Sequence, residues 1–234
     1  MKVDIHSHLL PGVDDGAPHL DVSRRLLDSL SANGITHLAL TPHFYPYNQS
    51  CERFLEKRKH SFERLMTLPE AEKFHFLLGA EVYLSSTLFN TQNLSSLCYQ
   101  GTEYMLVEPK YEKTFTKELE LKLRRLIADY GITPVIAHID RYPYLLSNEA
   151  LLEKLRGEGC LFQANLSSFA SFFKRKKLLN LSRKGLLDFL GEDVHSSCLL
   201  GEEREKIFRK IRKKEENLID FIDENAKRLL FSKA

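Results

Sequence analysis

Short apolar segments alternate with longer amphipathic segments along almost the whole of this 234-residue chain. The short segments have the length of buried strands, and the longer ones have the apolar period of helices that pack on a sheet. With no linker between them, these units favour one α/β domain spanning residues 1–234. Strands are predicted at residues 3–5, 37–40, 76–80, 104–107, 134–137, 160–164 and 187–190. Helices are predicted at residues 21–33, 52–68, 116–130, 149–156 and 172–184, with one or two closing helices within residues 202–231.

Seven such β-α units favour a closed (β/α) barrel of the TIM type. An open doubly wound sheet remains an alternative, because periodicity carries no information about whether the first and last strands pair. Both architectures place the carboxyl ends of their parallel strands on one rim, where active sites form.

Possible metal ligands lie at the carboxyl ends of six of the seven predicted strands, the sixth strand being the exception. Imidazoles and carboxylates are costly to bury unless they are paired or bound to metal, so packing alone explains such a set poorly. Each motif taken singly is weak, and His19, His37, His60 and His75 are interpreted as ordinary surface or core residues. The ligands at the strand ends are His6 and His8, His43, Glu81, Glu108, His138, and Asp193 with His195.

Composition excludes several other classes of protein. The 34 basic and 32 acidic residues give a net charge of +2, which does not predict a nucleic-acid surface. Four cysteines stand far apart without a C-x-x-C pair, which argues against a disulfide framework and a zinc finger. The N-terminal residues lack the apolar run of a signal peptide, and no segment is long and apolar enough for a membrane span. We expect a cytoplasmic protein that does not insert into membranes.

Several sequence blocks resemble one known group of enzymes. They are Asp4 to Gly16 (DIHSHLLPGVDDG), 34–36, 39–43, 79–81, 106–108, 131–142 and 224–226. The chain thereby resembles the polymerase and histidinol phosphatase (PHP) superfamily, and within it the bacterial metal-dependent protein-tyrosine phosphatases encoded with capsule and exopolysaccharide genes.

This resemblance implies a distorted seven-stranded (β/α) barrel that holds three divalent metal ions. Nitrogen and oxygen donors without thiolate suit manganese, the expected metal, with iron or zinc as alternatives. The implied ligands are His6, His8, Glu81 and Asp193 for the first metal, a bridging Glu81 with Glu108 and His138 for the second, and Asp15, His43 and His195 for the third.

The implied activity is hydrolysis of a phosphate monoester, with water acidified by the metal ions as the nucleophile. Arg141 is the expected catalytic and phosphate-binding arginine, and Asp193 and His195 are the other expected catalytic residues. The resemblance implies a phosphotyrosine protein as substrate, for example a membrane-associated tyrosine kinase of polysaccharide synthesis.

The chain departs from the family pattern at two positions. Glu192 replaces the usual serine before the D-x-H aspartate, and Leu200 replaces a second phosphate-binding arginine. The nearest arginine, Arg204, is the candidate for that second substrate-binding role.

Four alternatives remain open from the sequence. Cys198 and Arg204 form a C-x5-R pattern, as in cysteine-dependent phosphatases, although the acidic residues between them would repel phosphate. A small-molecule phosphatase such as histidinol-phosphate phosphatase shares the ligand pattern. A metal-dependent amidohydrolase shares the early H-x-H, and a non-catalytic PHP module would bind metal or partners without turnover.

Overall fold

The computed structural model describes residues 1–195 and 201–232, and over these residues it is an α/β protein whose paired strands are all parallel. The strands are β1 Val3–Asp4, β2 His37–Leu40, β3 His43–Phe44, β4 His75–Leu78, β5 Glu81–Tyr83, β6 Tyr104–Glu108, β7 Thr133–Ile136, β8 Leu161–Asn165 and β9 Phe189–Gly191. The helices are α1 Leu20–Ala32, α2 Cys51–Leu65, α3 Lys117–Tyr130, α4 Pro143–Leu146, α5 Glu149–Gly157, α6 Phe172–Arg183, α7 Gly201–Arg212 and α8 Leu218–Ala226.

The strands pair in the orders β1-β2-β4 and β3-β5-β6-β7-β8-β9, and the sheet curls into a half-barrel. The predicted parallel α/β class is therefore confirmed. Beyond the strand ends, Ser7 pairs with Val194 in an isolated parallel bridge, and the His8 amide donates to the Val194 carbonyl at 2.8 Å. The chain segments that follow β1 and β9 are thus hydrogen-bonded to each other.

The predicted strand 37–40 is confirmed as β2, and a separate short strand, β3, follows Pro42, which has no amide hydrogen to donate. The predicted strand 76–80 is instead β4, followed by a separate β5 that begins at Glu81. His43 and Glu81 therefore lie within short strands, as direct partners in the β3–β5 pairing. This division aligns the two side chains on neighbouring strands.

Several helices begin and end where local side chains satisfy the backbone. Thr116 accepts a hydrogen bond from the Leu119 amide before α3, and Gly131 ends that helix in the left-handed conformation at φ 64°. Ser50 and Asn148 cap α2 and α5 in the same way. The segment 202–231, predicted to hold one or two closing helices, contains α7, α8 and a short π turn.

Apolar side chains from several strands form a buried cluster that includes Val3, Ala39, Leu106, Val135 and Phe189. A larger buried cluster contains apolar residues of α1, α2, α3 and α5. The polar rim described below is therefore supported by closely packed strands. Among the helices of residues 1–195 and 201–232, none combines the length and hydropathy needed to cross a bilayer.

Candidate metal centre

Nine residues that the sequence nominates as ligands lie together at the carboxyl ends of the strands. Eight of them form three overlapping groups, and within each group the ligand atoms lie within 4.8 Å of one another. The groups are His6, His8, Glu81 and Asp193; His43, Glu81 and Glu108; and His8, Asp15, His43 and His195. His138 joins the second group through its contacts with both glutamates.

The first group is buried and has the membership implied by the resemblance. The Nε2 atoms of His6 and His8 lie 3.0 and 3.2 Å from the same Glu81 oxygen. Both nitrogens also lie 3.5 Å from Asp193 Oδ1. Burial opposes ionisation of Glu81, but the charge of His6 and hydrogen bonds from the surrounding imidazoles hold its pKa well below the usual range. This carboxylate is therefore anionic.

The second group contacts both oxygens of Glu81. His138 Nε2 lies 2.8 Å from Glu81 Oε1 and 3.7 Å from Glu108 Oε1. His43 Nδ1 lies 3.2 Å from Glu81 Oε2 and 3.9 Å from Glu108 Oε2. Burial and the neighbouring charge of Glu81 raise the pKa of Glu108 to about 7. Two carboxylates held this close need positive charge between them in order to ionise together.

The third group is the most open to solvent. His43 Nε2 and His195 Nε2 lie 3.7 and 3.5 Å from Asp15 Oδ1, and the Asp15 side chain is 71% exposed. The His8 and His195 rings stack with their centroids 4.1 Å apart. The resemblance implies Asp15, His43 and His195 here, and the structure adds His8 beside them.

The spacing of the donor atoms fits shared metal ions. His6 Nε2 and His8 Nε2 lie 3.1 Å apart, although both face the same carboxylate oxygen. Two nitrogens bound to one metal at about 2.1 Å each lie about 3 Å from each other. Two protonated imidazoles at this distance would repel, whereas a cation between them and Glu81 would satisfy all three donors. The donor set contains only nitrogen and oxygen, which suits first-row divalent metals.

The loop after β1 orients two of these histidines. Asp14 Oδ2 accepts from His8 Nδ1 at 2.6 Å and from the His43 amide at 2.9 Å, and Asp14 Oδ1 accepts from the Gly16 amide at 3.0 Å. Burial acts against the charge, but the His8 hydrogen bond lowers the Asp14 pKa to about 2. Asp14 was not predicted as a functional residue; the only signal in the sequence is its place beside Asp15.

Gly16 is required where this loop folds back on β1. A Cβ atom at this position would lie 2.0 Å from the His8 carbonyl oxygen and 2.5 Å from its Cβ. The close approach allows the Ala17 amide to donate to the same carbonyl at 3.0 Å. The D-D-G sequence therefore places Asp14 against His8 Nδ1 and Asp15 at the solvent-exposed rim.

The sixth predicted strand, now β8, contributes polar residues that the sequence did not identify. Gln163 Oε1 accepts from the His138 amide at 2.6 Å and lies 3.4 Å from His6 Nδ1. Gln163 Nε2 donates to Asn165 Oδ1 at 3.0 Å, and Asn165 Nδ2 donates to Asp193 at 2.8 Å. This chain of hydrogen bonds fixes three of the predicted ligands through their backbone or outer polar atoms.

Two of the predicted ligands have unusual backbone conformations. His138 and Asp193 have φ values of 32° and 55°, a region in which non-glycine residues are uncommon. Strain of this kind is concentrated at functional sites. In both cases the left-handed residue comes just after the end of a strand. This conformation directs the His138 side chain toward Glu81 and the Asp193 side chain toward His6.

Arg141 lies on the solvent side of the centre. Its guanidinium donates to Asp193 Oδ2, and its side chain is 48% exposed. Burial opposes the charge on Asp193, but His6, His8 and Arg141 together hold the pKa of this carboxyl well below its usual value. The structure therefore brings the predicted arginine beside the predicted ligands, with part of its guanidinium facing solvent.

Arg204 has a different role from the predicted one. Its side chain is buried, and its guanidinium donates to Glu192 Oε1 at 2.7 Å and to the Asn33 and Met1 carbonyls at 2.7 and 3.1 Å. These bonds tie α7 to Met1, just before β1, and to Asn33 at the end of α1, so we correct the expectation of a substrate-binding Arg204. Cys198 of the C-x5-R pattern and Leu200 lie outside the described residues.

The parallel fold and the histidine–carboxylate centre define a class: α/β proteins with a cluster of potential metal ligands at the carboxyl rim of the sheet. The family model for capsular polysaccharide synthesis, CpsB/CapC, matches residues 2–231, and the chain belongs to this family. The resemblance found in the sequence is thereby confirmed.

Two bacterial tyrosine-protein phosphatases are similar to this chain over most of their length. The tyrosine-protein phosphatase YwqE of Bacillus subtilis is 29% identical over 208 residues, covering 83% of this chain and 77% of YwqE. The tyrosine-protein phosphatase CpsB of Streptococcus pneumoniae is 27% identical over 209 residues, covering 83% of each chain. A solved structure from work on YwqE of Bacillus subtilis and CpsB of Streptococcus pneumoniae also matches, and those proteins are described as unique metal-dependent tyrosine phosphatases. The match has a TM-score of 0.78 and 24% sequence identity, and it covers 99% of this chain and 95% of that chain.

Proposed function

We propose that this protein is a metal-dependent phosphatase that hydrolyses phosphotyrosine in proteins. The observation that carries the proposal is the convergence of three histidine–carboxylate groups on one rim, sharing Glu81, His8 and His43. The names of the relatives, which are tyrosine-protein phosphatases in bacteria, support the same reaction and substrate class.

The centre would hold three divalent metal ions. His6, His8, Glu81 and Asp193 would bind the first; Glu81, Glu108 and His138 the second; and Asp15, His43 and His195 the third. Manganese suits these nitrogen and oxygen donors, and iron and zinc are the alternatives. When bound, the metal ions supply positive charge next to the phosphoryl group and acidify a water molecule.

The residues of the chain itself bind and orient the phosphate. Arg141 would hold non-bridging phosphate oxygens through its exposed N–H groups while keeping its contact with Asp193. His195 is 30% exposed and stands beside Asp15 at the open edge, where it can hydrogen-bond the substrate or the leaving phenolate. In the reaction, water adds to phosphorus, the bond from phosphorus to the tyrosine oxygen breaks, and the phenol leaves with a proton.

The open rim favours a substrate on a protein over a small metabolite. Asp15 and Arg141 are largely or half exposed, and exposed Tyr47 lies near the same side, its ring 5.8 Å from that of Tyr45, which stacks on His43. A pocket for a small substrate usually encloses most of the ligand surface. An aromatic border beside the centre suits a phosphotyrosine ring carried by a polypeptide.

We further propose a cytoplasmic enzyme of capsule or exopolysaccharide synthesis whose substrate is a tyrosine kinase of that process. The family to which the chain belongs supports the capsular context. We also propose that the curled sheet closes into a distorted seven-stranded barrel, with β2–β3 and β4–β5 each acting as one strand. The bridge between Ser7 and Val194 supports this closure.

The substrate class is tested by comparing turnover of a phosphotyrosine peptide, a phosphoserine peptide and histidinol phosphate by the manganese-loaded protein. The proposal expects the highest kcat/KM for the phosphotyrosine peptide. A higher kcat/KM for histidinol phosphate would assign the protein to the small-molecule phosphatases instead. Full activity after thiol alkylation, and none after chelation, would exclude the cysteine mechanism.

A further inference from the structure

A strongly basic groove lies between α6 and α7, outside the metal centre. It has a volume of about 490 Å³, and its apolar lining residues are Phe172 and Leu179. No carboxylate lines it among the described residues. Its six cationic lining residues are Arg175, Lys176 and Arg183 from α6, and Lys210, Lys213 and Lys214 from α7 and the turn after it.

Most of this charge is available to a ligand. Lys176 and Lys210, one on each wall, are exposed and have no ion-pair partner in the described part of the chain. Arg183 is paired with Glu215, and Arg175 is held by the carbonyls of Phe169 and Ala170. Because the whole chain has a net charge of only +2, this concentration of cations is local to the groove.

The groove begins near the catalytic rim. Asn165, the last residue of β8, donates to Asp193 of the metal centre, and the chain reaches Phe172 at the start of α6 after one 3₁₀ turn at 166–170. Helix α7 packs against the same turn. One wall of the groove therefore begins on the chain segment that directly follows Asn165.

We propose that this groove docks an acidic segment of the phosphoprotein substrate, next to the phosphotyrosine that reacts. The inference rests on the proposed function and names the substrate class more closely. Cations on both walls attract carboxylates, and the apolar lining of Phe172 and Leu179 accepts an apolar side chain of the same segment. The concave shape favours a peptide over a flat anionic membrane, despite the exposed Phe172 and Phe173.

The test compares two double variants with the same change in charge. Lys176→Glu with Lys210→Glu reverses one cation on each wall of the groove. Lys59→Glu with Lys206→Glu is the control, since these exposed lysines lie on α2 and on α7 but do not line the groove. The substrates are a twelve-residue phosphotyrosine peptide rich in Asp and Glu, its Asn and Gln counterpart, and p-nitrophenyl phosphate.

For the groove variant, the KM for the acidic peptide should rise about tenfold or more, since local fields of this kind change encounter rates by that order. Its kcat, its melting temperature and its kinetics on p-nitrophenyl phosphate should be unchanged. The wild-type preference for the acidic peptide should shrink in 0.5 M NaCl. An unchanged KM, or an equal rise in the control variant, would overturn the proposal.

Two further arms separate other outcomes. Loss of binding to phosphatidylserine vesicles by the groove variant, with an unchanged KM for the acidic peptide, would overturn the proposal in favour of a membrane surface. If the wild-type protein hydrolyses none of the three substrates, the proposed function fails. In that case, binding of the unphosphorylated acidic peptide, measured by fluorescence anisotropy, still tests whether the groove docks acidic segments. If it does, the groove variant loses this binding and the control variant keeps it; any other result would overturn the proposal.

Discussion

Asp14→Asn tests whether the loop after β1 organises the metal centre. The carboxylate of Asp14 accepts three hydrogen bonds, two at Oδ2 from His8 and the His43 amide and one at Oδ1 from the Gly16 amide. Asparagine keeps one acceptor oxygen, so at least one donor loses its partner and the charge is lost. Hydrogen bonds to charged groups contribute about 1.5–3 kcal/mol each, so we expect the metal-free protein to lose about 2 kcal/mol.

For a chain of this length, that loss corresponds to a fall in melting temperature of roughly 4–8 °C. The affinity for Mn²⁺ should also fall about 10–100-fold, because residues that orient metal-binding histidines have effects of that size. Circular dichroism melting of the metal-free protein gives the first quantity. Competition with a fluorescent chelator gives the second.

The adjacent residue provides the control. The Asp15 side chain is 71% exposed and contacts only His43 and His195 in the third group. Asp15→Asn should therefore weaken Mn²⁺ binding while leaving the metal-free melting temperature within about 1 °C of the wild type. An unchanged melting temperature for Asp14→Asn, or an equal loss for Asp15→Asn, would refute the assignment of Asp14 as the residue that holds His8.

Three other substitutions have distinct expected outcomes. His138→Ala should lower phosphatase activity at least about a hundredfold, because it removes a proposed metal ligand that lies beside Glu81 and Glu108. His60→Ala, on the exposed face of α2, should have no effect; equal losses would place the site elsewhere. Arg141→Ala should keep its metal and lose roughly a hundredfold in kcat, with partial rescue by Arg141→Lys; normal turnover per bound metal would remove it from the catalytic residues. Arg204→Ala should lose about 3–5 kcal/mol of stability, because it removes a buried ion pair with Glu192 and hydrogen bonds to two carbonyls, yet retain turnover per folded molecule; a selective rise in KM would restore its substrate-binding role.

The positions of most site residues follow from the sequence because parallel strands bring their carboxyl ends to one rim. His6, Glu81 and His138 are far apart along the chain, but each comes at the end of a predicted strand or just beyond it. Residue types at the ends of helices also predict where those helices stop. At Gly131, for example, a glycine in the left-handed conformation ends α3. These predictions need only the spacing of apolar residues along the chain and the common direction of parallel strands.

Residues that act through tertiary hydrogen bonds did not stand out in the sequence. Gln163 and Asn165 lie in β8, and their role depends on partners 25 to 28 residues away, at His138 and Asp193. Arg204 was assigned to the substrate by its distance along the chain from His195. Helix α7 instead directs its guanidinium to the Met1 carbonyl, a placement set by packing between distant elements.

Metal content and turnover, measured on one set of preparations, test whether bound metal ions make this protein a phosphatase. Protein expressed with excess manganese is divided into untreated, chelator-treated and chelator-treated, manganese-restored samples. Each sample is assayed by elemental analysis and on a phosphotyrosine peptide. We expect two or three metal ions per chain in the untreated sample. Activity should be lost when the metal is removed and should recover when manganese is restored. Fewer than one metal ion per chain, or activity that survives complete removal of metal, would contradict this expectation.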